Sequence, residues 1–387
     1  MKKRKWTIVV LLLILSIVGV GVSKSRTKMD KDRKSKLEQS PNYKKGKFQN
    51  LVEMDKFNFS KTMRILKNYI TDSHPEKFAK VEFPIDDTPW NFDSKSDFWF
   101  SWLGHSTVFM SLEGKNILVD PVISKRASFV QWMGPKRMHP FPVDVKTIPD
   151  LDMILISHDH YDHLDKHAMK EFADRTKYII VPLGVGQHLE DWGVSPDKIV
   201  ELDWWDVKNV GDIQVTLTPG RHSSGRGLMD QDETFWGGYA IKSDAKNIYY
   251  SGDTGFFDYF EEIGDRLGPF DMSLMQVGAY NEEWSSVHMF PEEAVEAQKM
   301  VKADVMLPLH WGTFDLALHS WYDPAVRVKK AMDQEGMKVV FPKLGEQVNF
   351  ENIDTQSVWW KEFVPDSVYQ VQEVKREIVL EPSLLVE

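Results

Sequence analysis

Short apolar runs separated by polar turns dominate the middle of the chain and predict strands. The predicted strands are Phe98–Trp102, Thr107–Leu112, Asn116–Val119, Met153–Ser157, Tyr178–Val181, Ile213–Thr218, Tyr239–Lys242, Ile248–Ser251, Ser273–Val277, Val305–Leu309 and Val339–Phe341. Spacing of apolar residues at three and four positions predicts helices at Lys166–Ala173, Phe256–Leu267, Pro291–Val301 and Pro324–Gln334, with a further helical region around Met54–Ile70.

The order of these elements indicates the fold class. Strands crowd together at first, and strands and helices then alternate towards the C-terminus. Such an order is typical of α/β (α+β) proteins in which helices cover two packed sheets. The sequence therefore predicts an αββα sandwich.

The N-terminus has a different pattern. Residues 1–5 are basic, and residues 6–22 contain no charged side chain. A helix of this length covers roughly 25 Å, which is just enough to cross a bilayer. We expect a transmembrane anchor at 6–22, because the residues after it lack the small-residue cleavage site of a signal peptide; a cleaved signal peptide is the alternative. A single-pass protein of the cell membrane is expected, with its main domain outside the cytoplasm.

The remaining boundaries follow from composition. Residues 23–50 are rich in Lys, Ser, Asn and Gln and predict a solvated linker. An N-terminal helical extension is expected over 51–96, the main domain over 97–350, and a C-terminal tail without an interpretable motif over 351–387.

Composition narrows the possible chemistry. The chain has no cysteine, which excludes disulfides, thiol catalysis and cysteine-held metal centres. Any metal must be bound by histidine and carboxylate side chains. The net charge of −10 disfavours a cationic groove for nucleic acid, so we expect no nucleic-acid partner.

The densest candidate chemistry lies at ILISHDHYDHLD, residues 154–165. An apolar strand here delivers four potential metal ligands within six residues: His158, His160, Asp162 and His163. Imidazole and carboxylate suit Zn²⁺. On an extended segment His158 and His160 project to the same side and can share one ion, while Asp162 and His163 lie past the bend and can face a second.

Three distant residues extend this set, and each follows an apolar strand. His222 ends TLTPGRH, Asp253 ends NIYYSGD, and His310 ends DVMLPLH. Functional groups in α/β proteins are commonly presented at strand ends. Each residue alone is a weak signal, but together with the 158–163 segment they predict a two-metal site.

The segment HDHYDH resembles the His-x-His-x-Asp-His motif of the metallo-β-lactamase superfamily. Within that superfamily the chain is similar to the N-acylphosphatidylethanolamine-hydrolysing phospholipase D group. The resemblance covers roughly residues 97–320 and rests on WLGHSTVFM (102–110), ILVDPVISKRAS (117–128), GPKRMHP (134–140), SHDHYDHLD (157–165), SGDTGFF (251–257), HMFPEEAV (288–295) and LHWGTFDLA (309–317).

This resemblance implies roles for the individual residues. His158, His160 and His222 would bind one zinc ion, Asp162, His163 and His310 a second, and Asp253 both. Tyr161 and His288 would contact the substrate, and the catalytic residues would be His288, Asp162 and Asp253. His105, Asp120 and Asp159 would support the ligands, and Trp311, Gly312 and Thr313 would fix the backbone around His310.

The resemblance also implies the reaction. A hydroxide bridging two zinc ions would attack a phosphodiester of the N-acylphosphatidylethanolamine type. The expected partners are a phospholipid or a related ester, and the membrane through the N-terminal helix; the oligomeric state is left open. A lactonase of the same fold, a nuclease, a flavodiiron-like oxidoreductase and a non-catalytic membrane-anchored metal-binding module are the alternatives. The oxidoreductase is disfavoured because His160 stands where that class has Glu.

Overall fold

The computed structural model describes residues 31–54, 61, 63–65, 67–68, 76–92, 96–227 and 229–369. Two seven-stranded sheets form its centre. The strands of the first sheet are β3 (Phe98–Trp102), β4 (Val108–Leu112), β5 (Lys115–Val119), β6 (Leu151–Leu155), β7 (Thr176–Pro182), β8 (Ile199–Leu202) and β16 (Val348–Asn349). Their order in the sheet is β16-β3-β4-β5-β6-β7-β8.

The second sheet has the order β15-β14-β13-β12-β11-β10-β9. Its strands are β9 (Val207–Val210), β10 (Ile213–Thr218), β11 (Gly238–Lys242), β12 (Asn247–Tyr250), β13 (Phe270–Gln276), β14 (Ala303–Leu309) and β15 (Lys338–Val339). Each sheet is antiparallel along one half and parallel along the other.

Helices cover the outer faces of the sheets. They are α2 (Lys166–Phe172), α3 (Gly186–Asp191), α4 (Tyr259–Leu267), α5 (Pro291–Met300) and α6 (Asp323–Gln334). Two more helices, α1 (Lys31–Gln39) and α7 (Asp366–Tyr369), lie near the ends of the described chain. The arrangement confirms the predicted mixed α/β sandwich.

Strand β6 illustrates why the sequences of the central strands are continuous runs of apolar residues. Met153 and Leu155 pack in the core that lies between the two sheets. Ile154 and Ile156 instead pack against the residues of α2, including Phe172. A strand buried on both faces needs apolar side chains at every position, so simple alternation is lost.

Several short elements were not predicted. Strands β8 and β9 have four residues each and carry polar side chains at Glu201, Lys208 and Asn209, so their apolar signal is weak. Helix α3 is only six residues long and begins at Gly186, a poor helix former. The predicted helix from Phe256 begins later, at Tyr259, and Asp258 precedes its first turn without a capping hydrogen bond from its side chain.

The expectation of a solvated linker over 23–50 does not hold for its described part. Residues 31–39 form α1, and β1 (Tyr43–Lys44) pairs with β2 (Lys47–Phe48) in a small hairpin. Leu37 and Phe48 are fully buried, and Arg33 pairs with Glu190. The polar composition conceals this contact because few apolar residues make it and polar side chains such as Lys36, which donates to the carbonyl of Glu201, supply much of the rest.

The expected localisation also needs correction. Among the residues that the structure describes, no helix is both long enough and apolar enough to cross a bilayer, so a single-pass membrane protein with an extracytoplasmic domain is not supported. The proposed anchor at 6–22 lies outside the described residues.

Candidate metal centre

Strand ends on both sheets meet at one edge of the sandwich. The 158–163 segment follows β6, and Asp253 and His310 follow the parallel-running strands β12 and β14. Strand β10 runs in the same direction as β12, because β11 between them is antiparallel to both, and so it delivers His222 to the same edge. Topology therefore brings together residues up to 152 positions apart.

The first group of donor atoms contains only imidazoles. The ring nitrogens of His158, His160 and His222 lie within 4.8 Å of one another. His158 Nε2 is 2.8 Å from His160 Nδ1, and His222 Nε2 is 3.3 Å from the same Nδ1 atom. Three imidazole nitrogens converging in this way match the ligands that transition metals such as zinc accept.

The second group contains Asp162, His163 and His310, joined by His105. Asp162 Oδ2 lies 3.2 Å from His310 Nε2 and 3.5 Å from His163 Nε2. His105 Nε2 donates a hydrogen bond to Asp162 Oδ2 over 2.9 Å, and the backbone N–H of His105 donates to Thr313 Oγ1. His105 therefore supports Asp162, which is the role that the family resemblance implies.

Asp253 lies between the two groups. Its Oδ2 is 3.1 Å from His163 Nε2 and 3.0 Å from His310 Nε2 on one side. On the other side the same oxygen is 4.0 Å from His222 Nε2 and 4.0 Å from His288 Nε2. A single carboxylate is thus within reach of both groups of donors.

Hydrogen bonds at the far side of the rings decide which nitrogen faces the centre. His158 Nδ1 donates to Ser157 Oγ over 3.0 Å, and His222 Nδ1 donates to the carbonyl of Val287 over 3.1 Å. His163 Nδ1 donates to Asp120 Oδ2 over 2.6 Å. These tautomers follow from the hydrogen-bond network, and in the neutral form of each ring they turn an Nε2 lone pair towards the centre.

Asp120 accepts several of the hydrogen bonds that hold these rings and the chain beside them in place. It accepts hydrogen bonds from the backbone and side chain of Ser157, from His163 and from the hydroxyl of Tyr250. Asp120 is fully buried, and its backbone has a positive φ of 38° at the end of β5. Its position directs both His163 and the segment that carries His158.

Two buried polar atoms at the centre make no hydrogen bond within the described chain, namely His163 Nε2 and Asp253 Oδ1. Burial alone would raise the pKa of Asp253, but the imidazoles of His163 and His310 outweigh it and hold that pKa well below its usual value. Conversely, burial would lower the pKa of His310, yet Asp253 and Asp162 raise it to about 8. Polar atoms without a hydrogen bond and an ionised carboxylate at one buried point fit a bound cation.

The two residues expected to contact substrate lie in different surroundings. His288 borders the donor groups, and burial lowers its pKa to about 3, so its imidazole is uncharged at neutral pH. Tyr161 lies further out: its hydroxyl donates to the carbonyl of Arg226, and the Arg226 guanidinium stacks 3.9 Å from the centre of its ring. Tyr161 is therefore held at the rim and does not line the cavity over the donor groups.

A cavity of about 420 Å³ opens over the donor groups. Its floor contains His160, Asp162 and Asp253, whereas its walls are mostly apolar. The apolar residues of the walls are Ile65, Ala279, Trp284, Val287 and Leu316. The polar floor and apolar walls suit a molecule with a charged group next to a hydrocarbon portion.

Two supporting residues carry no recognisable signal in the sequence. Asn50 donates to the carbonyl of His222 and accepts from its N–H, so it fixes the backbone that presents this ring. Arg226 donates to the carbonyl of Asp159, within the 158–163 segment, and to that of Leu164, directly after it. Neither belongs to a local motif, and only the folded chain brings them to the site. The side chain of Asp159 points away from the centre, where it accepts from His188 and Thr234.

Known proteins match this chain over most of its length. The model of the beta-lactamase superfamily domain matches residues 115–311. N-acyl-phosphatidylethanolamine-hydrolyzing phospholipase D 1 of Caenorhabditis elegans is 38% identical over 283 residues, which are 70% of this chain and 77% of that protein. The chain belongs to the metallo-β-lactamase superfamily, in the phospholipase D-like group. An uncharacterised Mycobacterium tuberculosis protein is also 38% identical, over 84% of this chain and 88% of its own length.

A solved structure agrees with the fold. The isothiocyanate hydrolase from Delia radicum gut bacteria matches with a TM-score of 0.52 and 20% identity, covering 65% of this chain and 98% of that protein. This confirms the metallo-β-lactamase fold expected from the HDHYDH motif. Family and fold together make the chain a metal-dependent hydrolase of this superfamily.

Proposed function

We propose that this chain is a phosphodiesterase that hydrolyses a phospholipid of the N-acylphosphatidylethanolamine class. The observation that carries the proposal is the cavity, in which an anionic and imidazole-rich floor adjoins apolar walls at Trp284, Val287 and Leu316. With cations held on that floor, a phosphodiester that carries acyl chains would match both parts. The reaction would form a bond from a water oxygen to phosphorus and break the bond from phosphorus to the ethanolamine oxygen. The products would be phosphatidic acid and an N-acylethanolamine.

The metal assignment is part of the proposal. His158, His160 and His222 would hold one ion, and Asp162, His163 and His310 would hold another. Asp253 would contact both, which its distances to the two groups support. Zinc suits the histidine and carboxylate donors. When bound, two such ions supply an activated water and neutralise the charge that grows on the phosphoryl oxygens.

The side chains at the centre would orient the reacting groups. Asp162 and Asp253 keep negative charge at the floor of the cavity and can accept hydrogen bonds from the water that attacks. His288 is uncharged and has one N–H, which can donate a hydrogen bond to the leaving oxygen as the proton from water reaches it. The Tyr161 ring, held by Arg226, would contact the substrate at the rim.

A side-by-side assay of the purified protein tests this function. The substrates are N-acylphosphatidylethanolamine and a panel of lactones, because a lactonase would use the same donor groups. We expect release of phosphatidic acid and N-acylethanolamine, loss of this activity after chelation, and its recovery when zinc is added back.

Two variants sharpen the test. His160→Ala should abolish hydrolysis, whereas His167→Ala should not, because the His167 side chain is 62% exposed and lies outside the donor groups. Turnover of lactones without turnover of any phosphodiester would reject the phospholipase proposal. Activity that survives both chelation and His160→Ala would reject the metal assignment.

A further inference from the structure

A second surface of interest lies beside the cavity, in the loop between β5 and β6. Residues 125–137 form a hairpin, in which Arg126 bridges Lys136 in antiparallel fashion. The Gln131 side chain accepts from the Arg126 N–H and donates to the Arg126 carbonyl. Gly134 has a positive φ of 105°, which a side chain would strain. We call these residues the 125–137 hairpin.

The base of the 125–137 hairpin is anchored in the protein. The guanidinium of Arg137 is buried, donates to the carbonyls of Val122 and Ser124, and stacks 4.9 Å from the ring of Phe314. Ser124 itself donates to Asp165 from its N–H and its hydroxyl. The hairpin is thus held in one conformation by bonds at its base.

The tip of the 125–137 hairpin exposes large aromatic side chains. Trp132 is 69% exposed and Phe129 is 37% exposed. Ordered exposure of a tryptophan to water is unfavourable, because its apolar surface gains nothing from solvent. Two aromatic side chains exposed within four residues on an anchored hairpin make the tip a candidate interaction surface.

The charge around the tip narrows the choice of partner. Residues 121–143 contain Lys125, Arg126, Lys136 and Arg137 and no acidic residue, although the whole chain has a net charge of −10. The side chains of Lys125 and Lys136 are exposed, and no carboxylate of the described residues forms an ion pair with either. An aromatic tip flanked by lysines complements a surface that is anionic at its face and apolar beneath.

The 125–137 hairpin adjoins the cavity. The ring of Phe129 lies 6.3 Å from the ring of Tyr161. Tyr161 in turn packs in a cluster with Ala127, Phe314 and Leu316, and Leu316 lines the cavity wall. A continuous apolar path therefore leads from the exposed tip to the donor groups.

We propose that the 125–137 hairpin docks this enzyme on an anionic phospholipid bilayer, with Trp132 and Phe129 entering the interface between headgroups and acyl chains. The inference rests on the proposed function, since a phospholipid must leave its bilayer next to the cavity to be hydrolysed. Tryptophan favours this interface, and lysines beside it bind anionic headgroups. The apolar path past Tyr161 would then receive the acyl chains of the substrate.

A bilayer fits the tip better than a second copy of the chain does. Stable contacts between proteins bury on the order of 1,000 Å² or more, with complementary shapes on both sides. The tip offers two aromatic side chains separated by Val130 and Gln131, and the basic flanks of two copies would repel one another. A lipid surface needs no matching shape.

Co-sedimentation of the full chain with vesicles tests the inference. The vesicles contain phosphatidylcholine with or without phosphatidylglycerol. Trp132→Ala should weaken vesicle binding about tenfold. The double variant with Lys125→Glu and Lys136→Glu should weaken binding to anionic vesicles further, by roughly fivefold for each lysine charge lost. Trp132→Phe should restore most of the binding. Val207→Ala, at a residue that is 48% exposed on the edge strand β9, is the matched control and should bind as the parent does. Other segments of the chain contribute equally to vesicle binding in the parent and in each variant. The ratio of variant affinity to parent affinity therefore reports the contribution of the 125–137 hairpin alone.

Two activity measurements separate this inference from the proposed function. Trp132→Ala should keep parental activity on a soluble short-chain phosphodiester and lose activity on the same phosphodiester embedded in anionic vesicles. Equal vesicle binding by the parent and by both hairpin variants would overturn the docking proposal while leaving the phosphodiesterase intact. A change in oligomeric state with Trp132→Ala, at unchanged vesicle binding, would also overturn it. No turnover of either phosphodiester by the parent would reject the proposed function instead.

Discussion

The Asp120→Asn substitution removes one negative charge beneath the candidate metal centre and preserves the shape of the side chain. Asp120 Oδ2 accepts from His163, Ser157 Oγ and Tyr250, and Oδ1 accepts from the Ser157 N–H. An asparagine side chain keeps the most hydrogen bonds when its oxygen occupies the Oδ2 position. Its NH₂ group then faces the buried Ser157 N–H, and two donors meet without an acceptor.

The magnitude follows from these contacts. One buried unsatisfied donor costs about 1–3 kcal/mol, and loss of the charge weakens each remaining bond by about 1 kcal/mol. Three bonds at the Oδ2 position remain and are weakened, so together with the unsatisfied donor we expect Asp120→Asn to lower the free energy of unfolding by roughly 4–6 kcal/mol. Because Asp120 orients the His163 ring, we also expect metal affinity to fall about 10- to 100-fold.

Two assays measure these effects. Urea unfolding of the metal-free protein reports stability, and competition with a chelator reports metal affinity. Asp212→Asn is the matched control, because Asp212 is exposed in the turn between β9 and β10. If Asp120→Asn matches this control in both assays, Asp120 does not direct His163, and the account of how the ligands are oriented is wrong.

Three further predictions concern separate parts of the molecule. His288→Ala should lower kcat/KM for the phosphodiester about 10²- to 10⁴-fold with unchanged metal content; loss of metal as well would make His288 a ligand. Burial lowers the pKa of His139 to about 3, so the unfolded chain binds a proton between pH 6.5 and 3 that the folded chain does not. The contribution of His139 to the free energy of unfolding should therefore be fully present above pH 6.5 and fall as the pH decreases. In urea titrations, His139→Gln should reduce the slope of unfolding free energy against pH by about 1.4 kcal/mol per pH unit. An unchanged slope would contradict this role of His139. Arg33→Ala breaks a pair with Glu190 that is mostly buried on the arginine side and should cost about 1–3 kcal/mol of unfolding free energy. Lys34→Ala, in an exposed pair, should cost under about 0.5 kcal/mol, and equal losses would show that α1 is not anchored through Arg33.

Much of the site was predictable from sequence because its ligands occur where apolar strands end. His158 and Asp253 follow buried strands, and parallel strands bring their carboxyl ends to one edge. The family motif then fixed the fold. These signals lie within short stretches of sequence, so they can be recognised without a structure.

Contacts between distant segments were not predictable. Asn50 binds the backbone of His222, 172 positions away, through an ordinary amide. Composition predicts a linker where β1 and β2 form their hairpin before Asn50, because the contribution of that hairpin to the core rests largely on Phe48. Nothing in the local sequence distinguishes such a residue from a solvated one.

Backbone strain around the site was equally hidden. His105, Asp120 and His310 all have positive φ, at 55°, 38° and 67°. Such conformations cost on the order of 1–3 kcal/mol each in residues other than glycine. Their concentration beside the donor groups indicates that tertiary contacts impose the conformation, and no sequence pattern reports such contacts.

The central claim is that two groups of side chains, joined by Asp253, hold a pair of metal ions. Elemental analysis of the purified full chain, before and after Asp253→Ala, tests it most directly. The account predicts two zinc ions per chain in the parent and the loss of at least one in the variant. A parent with less than one tightly bound ion, or a variant with the same metal content as the parent, would contradict it.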